Sequence, residues 1–152
     1  MLFRSLMKVA LWADAILIPA TPSLFDRKPA AACLEELRTF PRVATGKCRV
    51  ACIGSRIDTR TRDAELLRAW AVDNDVPCLG EIRERQIYPR RLEQGLTVFD
   101  GPSAKLGPCL EDWRPILSWI DEVLMAESSA PAMMPTVRPV PQVPRQIGRA
   151  HV

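Results

Sequence analysis

Three groups of residues carry the polar chemistry of this 152-residue chain. Ser55, Arg56 and Asp58 follow the apolar run Arg49-Val50-Ala51-Cys52-Ile53-Gly54. There a hydroxyl, a guanidinium and a carboxylate offer donors and acceptors to a ligand held at a strand end. Arg83, Arg85, Arg90 and Arg91 form a cluster; guanidinium forks match phosphate and carboxylate geometry, so clustered arginine suits anion binding. Pro19, Pro22, Ser23 and Asp26 follow a second apolar run, Ala15 to Ile18. Each group also has a plainer reading. Ser23 with Asp26 three residues on is a helix-capping arrangement, Asp58 suits a turn, and Glu81, Glu84 and Glu93 can balance the arginines on a solvated face.

Other chemistries are excluded by residue type. The one histidine is His151, so Ser-His-Asp, Cys-His and histidine-metal sites lack their base or ligand. A phosphate-binding loop needs G-x-x-x-x-G-K followed by Ser or Thr, because backbone amides cradle the phosphates, the lysine neutralises them and the hydroxyl holds magnesium. Gly46-Lys47 is the one Gly-Lys pair, with Pro41 where the first glycine belongs and Cys48 in place of the hydroxyl residue, so it reads as a turn. No G-x-G-x-x-G occurs, which removes a dinucleotide reading.

The five cysteines (Cys33, Cys48, Cys52, Cys78, Cys109) are odd in number and irregular in spacing, with no C-x-x-C. Neither a disulfide framework nor a zinc site follows; they read as small buried apolar residues in a reducing cytoplasm. Cys48 and Cys52 on one strand would stand about 13 Å apart, beyond shared metal coordination.

The elements that must position these groups follow from composition and periodicity. An apolar content of 47% with 26% charged residues belongs to a globular domain. A net charge of +3 is too small to require a nucleic-acid or membrane partner. Asp14 interrupts the apolar N-terminus before a signal-peptide core is complete, and no run approaches the ~20 residues needed to span a bilayer.

Ala15 to Ile18, Arg49 to Gly54 and Val76 to Gly80 are short apolar runs suited to strands buried on both faces. Between them Ala30, Cys33, Leu34 and Leu37 predict a helix from about Asp26 to Phe40, and Leu66, Leu67, Trp70 and Ala71 another from about Arg62 to Asn74. Strand, helix, strand, helix, strand implies right-handed crossovers and a parallel sheet. Tyr88 to Gln94 suggests a short helix closed by Gly95, and Leu96 to Phe99 a brief extended segment. A last helix is expected to open at Asp112 or Trp113, with Pro115 in its first turn and an apolar stripe of Ile116, Leu117, Ile120, Val123 and Leu124.

From Glu127 five prolines and the lack of further acidic or aromatic residues predict a disordered tail, so residues 1–126 and 127–152 divide into a domain and a Pro-rich extension. Ile147 to Val152 is what the common sequencing-adapter stretch ATC GGA AGA GCA CAC GTC encodes. Residues 146–152 are therefore expected to be an assembly artefact.

Taken in order, three segments of this chain resemble the C-terminal half of the ParA/MinD-type partition ATPases, over about Val9 to Asp121. Ala13-Asp14-Ala15-Ile16-Leu17-Ile18-Pro19 with Pro22-Ser23 and Asp26 is similar to the strand and loop after that family's second nucleotide-binding motif. Gly54-Ser55-Arg56-Ile57-Asp58-Thr59-Arg60-Thr61 is similar to the family's Asn-Arg-x-Asp segment, with Ser55 at the position of the adenine-reading Asn. Ile82-Arg83-Glu84-Arg85-Gln86-Ile87-Tyr88 followed by Gly95 to Asp100 resembles the segment that closes the base pocket.

The resemblance implies a three-layer, Rossmann-like, P-loop NTPase-type α/β fold, N-terminally truncated, without its Lys-Gly-Gly-x-Gly-Lys-Thr loop or magnesium-binding Asp. It implies ATP and Mg2+ as cofactors of the intact family, neither binding firmly to this portion, and no hydrolysis by the chain alone. It implies Ser55, Arg56 and Asp58 around the adenine, non-specific DNA bound by Arg83, Arg85, Arg90 and Arg91, a homodimer, and a ParB-like or cargo adaptor partner. The intact role would be partition of plasmids or chromosomes, or conjugative DNA transfer. The competing expectation is a short non-catalytic adaptor that uses the same fold to bind a partner protein or DNA.

Overall fold

The computed structural model describes residues 2–58 and 60–128. Of the expected 127–152 extension, residues 127 and 128 close the last helix instead; the remainder from 129, including the adapter-like 146–152, and Thr59 lie outside the described residues. The elements run α1 (Leu2–Trp12), β1 (Ala15–Ala20), α2 (Leu24–Arg38), α3 (Pro41–Ala44), β2 (Arg49–Ile57), α4 (Asp63–Asp73), β3 (Cys78–Arg83), α5 (Ile87–Glu93) and α6 (Ser103–Ser128). No described helix is long and apolar enough to cross a membrane.

The three strands form an open, wholly parallel sheet in the order β1-β2-β3. Two successive crossovers in one direction place α2 and α4 on the same face, as the fixed hand of βαβ units requires. That face holds the main core: Ile18 and Ala20 of β1, Cys52 and Ile57 of β2, Leu34 and Leu37 of α2, Leu67 and Trp70 of α4, with Ala10 of α1. On the opposite face Trp119 and Val123 of α6 pack on Ala51, flanked by Ala15, Leu17 and Leu79. Side chains alternate between the two faces along each strand, so the molecule is a three-layer α/β/α arrangement of Rossmann-like type.

Several details differ from the sequence expectations. α1 was not foreseen. β1 continues through Pro19, which an edge strand tolerates because that residue needs no donor on its free side. Leu96 to Phe99 is no strand: the Asp100 carboxylate accepts from the Thr97 amide at 2.8 Å and its hydroxyl at 2.7 Å, curling the segment into a turn. The closure of α5 is as expected, with Gly95 at φ +70°.

The largest difference is α6. It starts nine residues before Asp112 and carries Pro108 and Pro115 inside it, so Asp112 is not its cap. A helical proline costs about 3 kcal/mol in isolation, and tertiary burial outweighs that cost here. Leu106, Cys109, Asp112, Ile116, Trp119 and Val123 are all buried along one stripe. Leu117 and Leu124, expected on that stripe, are exposed instead.

Candidate functional site

Open parallel sheets bind ligands beyond the carboxyl ends of their strands, at the point where strand order reverses; the order β1-β2-β3 has no such reversal among the described residues, so the candidate site is identified by its lining. Here the ends of β2 and β3, with Pro19 of β1, border a cleft of about 560 Å³. Its floor is Pro19, Ile53 and Ile82; its wall is Tyr88, Pro89, Leu92 and Trp113; Ser55, Arg56 and Glu84 supply polar atoms among its lining. The cleft is therefore mostly apolar with a few convergent polar groups, which is the usual make-up of a small-molecule site.

A register irregularity shapes it. Cys52 pairs with Cys78, Gly54 with Glu81 and Ile57 with Arg83. One extra residue on β3 between the first two pairs is offset by one extra on β2 between the last two. The β2 irregularity centres on Arg56, which sits at φ +57°, a left-handed conformation that costs a non-glycine residue about 1–2 kcal/mol. Such a bulge re-aims side chains. Ile53 and Ser55 face the cleft, whereas Ile57, which strict alternation would place beside them, turns into the opposite core and is 1% exposed.

The aromatic wall is fixed internally. The Trp113 indole Nε1 donates to the Tyr88 hydroxyl at 3.3 Å, and the Trp113 ring meets Phe99 edge to face, centroids 5.6 Å apart. Burial pushes the Tyr88 phenol upward, so it stays neutral. At the mouth, Arg56 pairs with Glu84 at 3.2 Å, both side chains well exposed.

The structure brings Ser55, Arg56, Arg83 and Arg85 into the lining of one cleft and places Asp58 in an adjoining groove with Arg60, Glu84 and the same two arginines, Arg83 and Arg85. The Asp58 carboxylate accepts from the side chain of Arg60 at 2.9 and 3.1 Å and from its backbone N–H at 2.9 Å. The Arg60 side chain, then its backbone N–H, hold Asp58 below the usual carboxylate range. This is the turn-forming role.

The arginine cluster divides. Asp112, its side chain 5% exposed, accepts from the Arg83 N–H at 3.2 Å, Nε at 2.9 Å and NH2 at 2.5 Å, and faces Arg85 at 3.7 Å. Arg91 donates to the Asp100 carbonyl. Arg90 is exposed. So β3 and the segment after it are tied to α6 by two of the four guanidiniums, and a third is spent on a turn.

Upstream, Ser23 caps α2 by accepting from the Phe25 N–H at 3.2 Å, and Thr21 donates to Asp26. Those residues close their own loop. The sequence pattern does not single out Tyr88 and Trp113 as a wall, since their separation of 25 positions gives no periodic signal. Among the described residues no group of three or more His, Cys, Asp or Glu is placed to hold a metal ion. No family model matches this chain, and no curated protein matches it.

Proposed function

We propose that this chain is the C-terminal portion of a ParA/MinD-type nucleotide switch and that its own contribution is the base-binding half of the site. The observation that carries the reading is the cleft at the strand ends. A flat heterocycle would lie between the apolar Ile53 and Ile82 and the aromatic Tyr88 and Trp113, with the Ser55 hydroxyl offered to its edge and Arg56 at the mouth to meet an anionic group.

The residues present fit a base and not a triphosphate. The sequence holds no glycine-rich loop with the lysine and hydroxyl residue that would cradle phosphates and bind Mg2+. The intact family's activity would be ATP-dependent dimerisation on DNA for partition or conjugative transfer, with a ParB-like or cargo adaptor partner. Within that role this chain's part is to orient the base and exclude water from it, without hydrolysing ATP.

For DNA, Arg90 is the exposed member of the cluster, while Arg83 and Arg85 are engaged by Asp112. That engagement is also the observation favouring the second reading, a non-catalytic adaptor binding a partner protein.

The test is a titration of the full chain with adenosine, followed residue by residue by NMR. The expected result is a dissociation constant on the order of 1 mM, with shifts confined to Ser55, Arg56, Ile82, Tyr88 and the Trp113 indole. Scattered shifts, or none at several millimolar, would overturn the nucleotide reading.

A further inference from the structure

We propose that Cys78 is a modification site for small-molecule disulfides such as glutathione disulfide, with Cys52 as the thiol that resolves the adduct into a cross-strand disulfide. The site is separate from the nucleotide reading and does not depend on it. Cys52 and Cys78 are direct register partners on β2 and β3. Neighbouring strands stand about 4.8 Å apart, inside the roughly 4.4–6.8 Å between Cα atoms that a disulfide bridges. Both side chains belong to the α2–α4 face of the sheet, Cys52 within the core and Cys78 at its margin.

Their exposures assign the roles. Cys52 is fully buried, and Cys78 is half-buried and lines a surface cleft of about 550 Å³ with Arg68, Gly80, Glu81 and Arg83. A reagent entering that cleft meets Cys78 first and cannot meet Cys52.

The surroundings favour a thiolate at the outer position. The Cys52 thiol is the chief cause that brings Cys78 down to about 7, and backbone hydrogen bonds of Gly80 and Gly54 add to it; burial and the Glu81 charge oppose it. Cys52 is pushed up, first by that same hydrogen bond and then by burial, and remains a protonated donor. The other charges facing the cleft are engaged: Arg68 holds Glu81 at 2.6 and 3.0 Å, Asp112 holds Arg83, and Glu111 pairs with Arg114. Cys33, also half-buried, is pushed up by burial and by Glu36.

The chemistry balances with the named oxidant. The Cys78 thiolate attacks one sulfur of the small disulfide, the S–S bond breaks, and one thiolate leaves and takes up a proton. Cys52 then gives up its proton and attacks the Cys78 sulfur, releasing the second thiol. Two protein thiols lose two electrons and one small disulfide becomes two thiols.

Two measurements on the full chain test this. Iodoacetamide labelling between about pH 5 and pH 9, mapped by peptide mass, is expected to show the Cys78 rate half-developed near pH 7. At pH 7 Cys78 carries the larger thiolate fraction, because Cys33 is pushed up by burial and by Glu36; although a lower pKa also lowers intrinsic nucleophilicity, Cys78 should label the faster of the two. Equal or faster labelling of Cys33, or a Cys78 rate that rises only near pH 9, overturns the proposal. Incubation with glutathione disulfide is expected to yield a Cys52–Cys78 linked peptide, and Cys52→Ala to stop at a glutathione adduct on Cys78. A persistent adduct on the wild-type chain, or linkage through another cysteine, overturns it independently of how Cys52→Ala folds.

Discussion

Asp112 is the buried acidic residue of the core, and it accepts both the Arg83 backbone N–H and the Arg83 guanidinium while facing Arg85. Removing one partner of a fully buried ion pair costs about 3–5 kcal/mol. Arg83 and Arg85 are 39% and 29% exposed, so water can take over part of the lost bonding. Asp112→Ala is therefore expected to destabilise the fold by about 1–3 kcal/mol, read as a lower urea midpoint. The same change frees two guanidiniums, so any weak, salt-sensitive DNA binding should rise with it. An unchanged midpoint would remove this pair from the forces that dock α6.

Arg56 makes the opposite case. Its left-handed backbone is retained although its one side-chain pairing, to Glu84, lies in solvent and contributes little. Arg56→Gly is expected to raise stability by about 0.5–1 kcal/mol while weakening AMP binding at the cleft mouth, with adenosine binding little changed. The same residue centres the bulge that turns Ile57 into the main core, so the left-handed conformation serves packing as well as the cleft mouth. Elsewhere, Asp58 and Asp100 are held below the ordinary carboxylate range by Arg60 and Thr97 respectively. A depressed folded-state value means their stabilisation is complete above about pH 4, the unfolded value, and is lost as pH falls through the folded one. Thermal midpoints should thus be insensitive to these two groups between neutrality and about pH 5, with Asp100→Asn flattening part of the decline in stronger acid.

Among the elements, the sheet meets its helices through two glycines. A Cβ on Gly54 would stand 2.6 Å from Leu67 Cδ2 of α4, and one on Gly80 would stand 3.0 Å from Pro115 Cγ of α6. Gly54→Ala pushes against a fully buried leucine in the main core, and overpacking of this kind costs about 1–3 kcal/mol. Gly80→Ala should cost less, because the second contact is longer. Chemical denaturation of the two variants side by side ranks them; the reverse order would show that α6, not α4, is the more rigid neighbour. The unbroken run of α6 past two prolines has the same origin: Pro115 sits over Gly80, and the buried stripe on either side holds the helix where propensity alone would end it.

At the scale of the whole molecule, β1 and β3 are the edges of an open sheet, and β1 presents its outer side without a strand partner among the described residues. Trp12 and Phe25 are 86% and 88% exposed on α1 and α2, and Val9 and Leu11 are also exposed. Unpaired edges and exposed apolar side chains favour association. The chain is expected to associate with rising concentration in light-scattering measurements, and Trp12→Lys with Phe25→Lys to shift it toward monomer.

The sequence by itself determined the alternation of strands and helices and the parallel pairing of the strands. Runs of β-branched and apolar residues at Ala15, Arg49 and beyond Val76, with helical spacing between them, leave a parallel α/β sheet as the way to bury both faces of each strand, and the observed topology is that one. It also placed Gly95 at the end of α5, since only the local backbone is involved. What the tertiary structure alone decided are contacts between residues far apart in the chain. Tyr88 against Trp113, Arg83 and Arg85 on Asp112, and Cys52 beside Cys78 arise from register and docking, which periodicity does not encode. A single residue of bulge at Arg56 settled which of Ser55, Ile57 and Asp58 faces the cleft, because shifting a strand by one position turns every later side chain to the other face.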